Sequence, residues 1–144
     1  MRYLIAFLAV AGIVVSTLAL RVHYSTDVQP CDINAHWDCG IVNHSRYSEI
    51  LHIPVAAIGI AGYLLLAVAA LMRRRVFSFA TALAALAFSL HLTDIEAHKL
   101  EVWCLYCVIS QGIIALITIC SLIWLFIGRG KNAAGPVAAP GVTS

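Results

Sequence analysis

Residues 104–127 read CLYCVISQGIIALITICSLIWLFI and carry no charged side chain. A helix needs about 20 apolar residues to cross the roughly 30 Å hydrocarbon core of a bilayer, and this run is long enough to do so. Three earlier runs are similarly apolar and free of charge, at residues 3–20, 54–72 and 76–92. The sequence therefore predicts an all-α, polytopic membrane protein whose four transmembrane helices form a bundle.

The composition also indicates a membrane protein. Of 144 residues, 62% are hydrophobic and 11% are charged, and the mean hydropathy is +0.93. A soluble domain has about 45–50% apolar and about 25% charged residues. A formal net charge of +2, with no basic tract among aromatic residues, argues against a nucleic-acid partner. We expect one membrane domain over residues 1–131 and a disordered tail over 132–144, where small residues and proline predominate.

The basic residues indicate the orientation of the helices, because cytoplasmic loops collect Lys and Arg. One side of the predicted bundle holds six of them and the other holds three: Arg2, Arg73, Arg74, Arg75, Arg129 and Lys131 against Arg21, Arg46 and Lys99. We expect a multi-pass protein of the cell (inner) membrane, with both termini in the cytoplasm. Loops 21–53 and 93–103 then face outward, and the longer one is predicted to contain a short interfacial helix, capped by Ser45 and reaching Leu51.

Four of the five cysteines fall on the predicted outer face. Cys31 and Cys39 lie in the long loop, and Cys104 and Cys107 open the last helix. Residues three apart at a helix start have Cβ atoms about 5–6 Å apart, so Cys104 and Cys107 can form a disulfide. A thiolate there is stabilised by unpaired backbone N–H groups, which suits thiol–disulfide exchange. Cys120 lies about 20 Å deeper along the helix, and we expect it to pack in the core.

Two other interpretations of these cysteines remain open. The four outer cysteines can form static structural disulfides, or they can hold zinc together with His36 and His44, since zinc takes Cys and His ligands tetrahedrally. The seven residues between Cys31 and Cys39 exceed the usual spacing of structural zinc sites, so we expect no metal. The alternative to an enzyme is thus a non-enzymatic membrane protein with structural disulfides or a zinc site.

One ordered set of residues resembles the vitamin K epoxide reductase family. It runs from Cys31-Asp32 through Cys39, Ser45 and Gly59 to Cys104-x-x-Cys107, and the resemblance covers about residues 3–127. It implies a four-helix membrane bundle around a quinone and a redox-active thiol-disulfide oxidoreductase that uses the quinone as electron acceptor. Such an enzyme supports disulfide-bond formation in an oxidising compartment.

The resemblance also implies a role for each site residue. Cys107 corresponds to the thiol that faces the quinone, Cys104 to its partner, and Cys39 to the loop thiol that exchanges with Cys104. Cys31 corresponds to the cysteine that receives electrons from outside. Ser45 corresponds to the family's serine near the quinone head group.

Two positions depart from the vertebrate branch of the family. Val55 stands where that branch has an asparagine, and Gln111 stands where it has a tyrosine; both positions resemble contacts to a quinone oxygen. We therefore expect reduction of ubiquinone or menaquinone rather than of an epoxide. His91, near the outer end of the third apolar run, is a further candidate, either for a quinone carbonyl or for a neighbouring backbone carbonyl.

The expected partners follow from the same resemblance. Many bacterial relatives carry a fused thioredoxin-like domain, and the residues after Ile127 are too few to supply one. We therefore expect a separate thioredoxin-like protein, periplasmic or extracytoplasmic, to deliver electrons, and a lipid quinone to receive them.

Overall fold

The structure is a computed structural model that describes residues 1–24 and 32–138, with side chains for 1–24 and 32–130. Four long helices account for most of the described chain. The elements in order are α1 (Arg2–Tyr24), α2 (Cys39–His44), a 3₁₀ turn (Arg46–Ser48), β1 (Glu49–Ile50), β2 (Ile53–Pro54), α3 (Val55–Leu71), α4 (Arg75–Ile95), a π-helical turn (Glu96–Leu100) and α5 (Leu105–Ala138).

The long helices match the four predicted runs in position, and three of them are long and apolar enough to cross a membrane. These are Arg2–Tyr24, Arg75–Leu100, which includes the π-helical turn, and the Leu105–Gly130 part of α5. Helix α3 is apolar but shorter, with 17 residues. At 1.5 Å per residue it is about 25 Å long. The structure thus has the helical character predicted, with three candidate spans and a fourth, shorter apolar helix.

The bundle is held together where α1, α3 and α5 meet. Gly12 of α1 faces the ring of Tyr63, and an added Cβ at this glycine would overlap the ring. The Tyr63 hydroxyl donates to the backbone carbonyl of Ser110 in α5 at 2.8 Å. Ile5, Leu66 and Ile117 are fully buried in the same core cluster. The missing side chain at Gly12 therefore lets one tyrosine connect three helices.

The segment after α2 differs from the sequence prediction. The helix expected from Ser45 to Leu51 is wrong: one 3₁₀ turn is followed by a two-residue antiparallel hairpin that pairs Glu49 with Pro54. Leu51 and His52 form the turn with φ of 53° and 66°, a left-handed conformation that no α-helix continues through. The short helix lies earlier, at α2, where the Asp38 side chain accepts from the Ile41 N–H at 3.0 Å.

Helix α5 extends beyond Asn132, the residue at which the predicted tail begins. The backbone of α5 stays helical to Ala138. Residues 139–144 of the predicted tail lie outside the described residues.

Candidate active site

A short backbone pairing fixes the loop before α2 against the residues before α5. The Trp103 N–H donates to the His36 carbonyl at 2.7 Å, and the Asp38 N–H donates to the Trp103 carbonyl at 3.1 Å. The rings of Trp37 and Trp103 lie beside each other, with centroids 6.5 Å apart. Because Cys39 follows Asp38 and Cys104 follows Trp103, this pairing brings the two cysteines together.

Cys39 and Cys104 are both fully buried, and their sulfur atoms lie 3.4 Å apart. Cys39 is disulfide-bonded, whereas Cys104, Cys107 and Cys120 are free thiols. A free thiol thus lies in contact with a disulfide sulfur, as thiol–disulfide exchange requires. Cys31, the other predicted loop cysteine, lies outside the described residues.

Asn43, one helical turn after Cys39, supports this contact. Its buried side-chain amide donates to the Cys39 carbonyl at 2.9 Å and to the Cys104 sulfur at 3.5 Å. His23, near the end of α1, binds the Asn43 carbonyl through Nδ1 at 2.5 Å and the Glu49 carboxylate through Nε2 at 3.0 Å. Helix α1 therefore anchors α2 at the residue that contacts the reactive sulfur.

The surroundings of Cys104 favour ionisation of its thiol. It caps α5, where its carbonyl accepts from the Val108 N–H at 3.0 Å. The pKa of its thiol lies below the usual value, chiefly because the Cys107 side chain donates a hydrogen bond to it. The Cys107 backbone N–H and the Asn43 amide lower the pKa further, while burial and the nearby Glu96 carboxylate raise it. The lowered pKa favours a thiolate at Cys104.

A cavity of about 390 Å³ lies beneath α2, between the four long helices. Most of its wall is apolar, and a few hydroxyls project from it, as is typical of sites for small apolar ligands. Of the described cysteines, only Cys107 lines it. Ser45 and Val55, predicted from the sequence to lie near a quinone, line it as well. The two neighbouring thiols therefore differ in access: Cys104 contacts the loop cysteine, and Cys107 contacts the cavity.

Unlike Ser45 and Val55, the predicted quinone contacts Gln111 and His91 are not among the described residues that line the cavity. Gln111 is absent from the cavity wall, but its side-chain oxygen accepts from the hydroxyls of Ser89, at 3.3 Å, and Thr93, which both line the cavity. It therefore orients two hydroxyls of the wall. His91 is exposed on α4 and is not among the described residues that line the cavity. Cys120 packs against the core cluster away from the other thiols.

Two site residues were missed by the sequence analysis. Asn43 lies on the same face of α2 as Cys39, since residues four apart on a helix share a face. Glu96, which the sequence analysis places in the loop 93–103 without a role, is buried and lines the cavity. Ser89, near the end of the third apolar run, and Thr93 and Glu96, just after it, fall at helical spacing, and this periodicity is a signal that points to Glu96.

The histidines considered as zinc ligands lie at the surface. His36 is exposed, and His44, also exposed, binds the Gly40 carbonyl through Nδ1 at 2.7 Å. Within residues 1–24 and 32–130, no group of three or more His, Cys, Asp or Glu side chains is arranged to hold a metal ion.

The sequence profile of the Vitamin K epoxide reductase family matches residues 3–122, well over half of the chain. No curated protein matches the sequence. The chain therefore belongs to the vitamin K epoxide reductase family, and with its long apolar helices it is a membrane-bound oxidoreductase.

The contact between Asn43 and Cys104 predicts a pH effect. In Asn43→Leu the donor to the thiolate is lost, so the pKa of Cys104 rises and its alkylation by iodoacetamide becomes slower near neutral pH. The two proteins should converge at a pH well above the pKa of an ordinary thiol. Quantifying the alkylated Cys104 peptide by mass spectrometry between pH 5 and 10 gives both curves. Ile41→Ala, at an exposed site on the same helix, is the control, and coincident curves for Asn43→Leu and wild type would refute the role of Asn43.

Proposed function

We propose that the protein is a thiol:quinone oxidoreductase that supports disulfide-bond formation. Electrons would pass from a separate thioredoxin-like extracytoplasmic protein through Cys31 and Cys39 to Cys104 and Cys107, and then to ubiquinone or menaquinone. The observation that carries the proposal is the 3.4 Å contact between the free thiol of Cys104 and the disulfide-bonded Cys39. Family membership supports the same class of chemistry.

The exchange steps balance without any further reagent. The partner's dithiol reduces a Cys31–Cys39 disulfide and becomes a disulfide itself. The Cys39 thiolate then attacks Cys104 of a Cys104–Cys107 disulfide, which forms a Cys39–Cys104 bond and releases the Cys107 thiolate. Attack of the Cys31 thiolate on Cys39 restores the loop disulfide and frees Cys104. In the structure, Cys39 is bonded and both thiols of the inner pair are free, which is the arrangement expected after the last of these exchange steps.

Several features of the cavity support a quinone as the final acceptor. Its wall is mostly apolar, which suits a ring with a lipid-soluble tail, and its volume of about 390 Å³ falls in the range of small-molecule sites. Ser45, Ser89 and Thr93 supply hydroxyls that can bind carbonyl oxygens. The quinone supplies the two-electron chemistry, while the protein supplies placement and a nearby thiol.

The proposed orientation follows from the charge distribution. The basic residues concentrate on the side of the chain termini and of the Arg73–Arg75 turn. We place both termini in the cytoplasm and the cysteine pairs at the outer face of the cell (inner) membrane, where disulfides persist and a secreted thiol protein has access.

The proposal predicts opposite outcomes for two cysteine substitutions. Cys107→Ser removes the thiol that lines the cavity, so thiol oxidation that depends on quinone should fall to the rate without enzyme. Cys120→Ser should retain the wild-type rate, because Cys120 packs in the core. The loss of quinone absorbance with dithiothreitol as donor, followed in detergent, measures both. Near-normal turnover in Cys107→Ser would contradict the proposed electron path.

The cavity wall also predicts the choice of acceptor. Val55 offers no hydrogen bond, and Gln111 is engaged by Ser89 and Thr93. Opening an epoxide requires protonation of a developing alkoxide, and neither of these two residues presents a proton donor to the cavity. We expect efficient reduction of ubiquinone or menaquinone analogues and little reduction of vitamin K epoxide. Parallel assays with one thiol donor test this, and comparable turnover of the epoxide would contradict the interpretation of these two positions.

A further inference from the structure

Glu96 is a buried carboxyl group at the outer end of α4. It begins the π-helical turn Glu96–Leu100, and only 5% of it is exposed. Asp94 and Glu101, the acidic residues that flank it, are both exposed. Short π-helical turns occur often at functional sites, because the extra residue redirects a side chain. Here Glu96 begins the turn and lines the cavity, whereas its acidic neighbours face away from it.

The Glu96 carboxyl contacts both residues of the inner pair. Its Oε2 atom accepts from the Cys104 backbone N–H at 3.3 Å. The Cys107 thiol also lies within hydrogen-bonding reach of the same carboxyl group. Glu96 and Cys107 both line the cavity. One carboxyl group thus touches the thiol that faces the cavity. It also lines the wall that a bound molecule would contact.

No cation compensates this carboxyl group within the residues that the structure describes, where the ion pairs are His23–Glu49 and His98–Asp94. An ionised carboxylate buried without a cation carries a high desolvation cost. A carboxyl in this position therefore gains by taking up a proton, and a thiol that loses one lies in contact with it. This is the arrangement that a proton carrier needs.

We propose that Glu96 is a catalytic residue that carries a proton from the Cys107 thiol to the quinone, a role that rests on the function proposed above. The Cys104 and Cys107 thiols together lose two electrons and two protons and form a disulfide, and the quinone gains both and becomes a quinol. The Cys107 proton moves to the Glu96 carboxylate and from there to one quinone oxygen. The Cys104 proton leaves when that thiol ionises, and the second quinone oxygen takes a proton from water.

The test separates the two half-reactions. Protein reduced with dithiothreitol and freed of it is mixed with ubiquinone-1, and the loss of quinone absorbance gives the rate of the quinone step. The rate at which dithiothreitol reduces the Cys104–Cys107 disulfide gives the exchange step. Glu96→Gln keeps an oxygen for the Cys104 N–H but cannot carry a proton. We expect it to slow the quinone step by roughly 100-fold, the range of a lost acid–base catalyst, with the exchange step little changed.

Two further variants make the result specific. Glu96→Asp restores a carboxyl group and should recover part of the quinone step, whereas Asp94→Asn, at an exposed carboxyl two residues away, should match the wild type. An equally fast quinone step in Glu96→Gln and wild type would overturn the role of Glu96. Equal slowing of both half-reactions would assign Glu96 a structural role and also overturn it. Failure of the wild-type protein to oxidise its thiols with quinone would instead refute the proposed function.

Discussion

The site depends on the backbone pairing that joins Trp103 to His36 and Asp38. Two hydrogen bonds hold a loop that starts far away in the sequence directly against the residue before Cys104. Each cysteine follows a paired residue, so the pairing sets the sulfur–sulfur contact of 3.4 Å. A change in register of this pairing would separate Cys39 from Cys104. The helix bundle supplies the cavity, and this pairing holds the loop that precedes Cys39 against the start of α5.

The two thiols of the inner pair lie one helical turn apart and have different surroundings. Cys104 is enclosed with Cys39 in a buried cluster, where donors from Cys107 and Asn43 stabilise its thiolate. Cys107 opens onto the apolar cavity and contacts Glu96. In the proposed relay, electrons that reach Cys104 from the loop would leave from the neighbouring sulfur. The helical spacing of a C-x-x-C motif makes this division of roles possible, because it keeps the sulfurs close enough to bond while they face different elements.

The sequence predicted the elements that depend on a local pattern of residues. Charge-free apolar runs gave the positions of the long helices, and the spacing of Cys104 and Cys107 placed both at the start of α5. The hairpin turn was not predicted, because Leu51 and His52 adopt a left-handed conformation although neither residue is glycine. The contacts of Asn43 and Glu96 with Cys104 cross 61 and 8 residues, and the sequence does not specify either contact. The helical spacing of Ser89, Thr93 and Glu96 nevertheless indicates that these side chains share one face, which continues from α4 into the π-helical turn.

The contact between Cys39 and Cys104 is the central claim, and trapping it as a bond tests it most directly. In the variant Cys31→Ser/Cys107→Ser, the loop and inner cysteines that remain are Cys39 and Cys104. Mild oxidation of this protein in detergent, followed by digestion without reductant and mass spectrometry, identifies the disulfides formed. The proposed relay predicts nearly complete formation of an intramolecular Cys39–Cys104 bond, since the two sulfurs already touch. Recovery of both residues as free thiols, or of Cys39 joined to a second molecule, would contradict it.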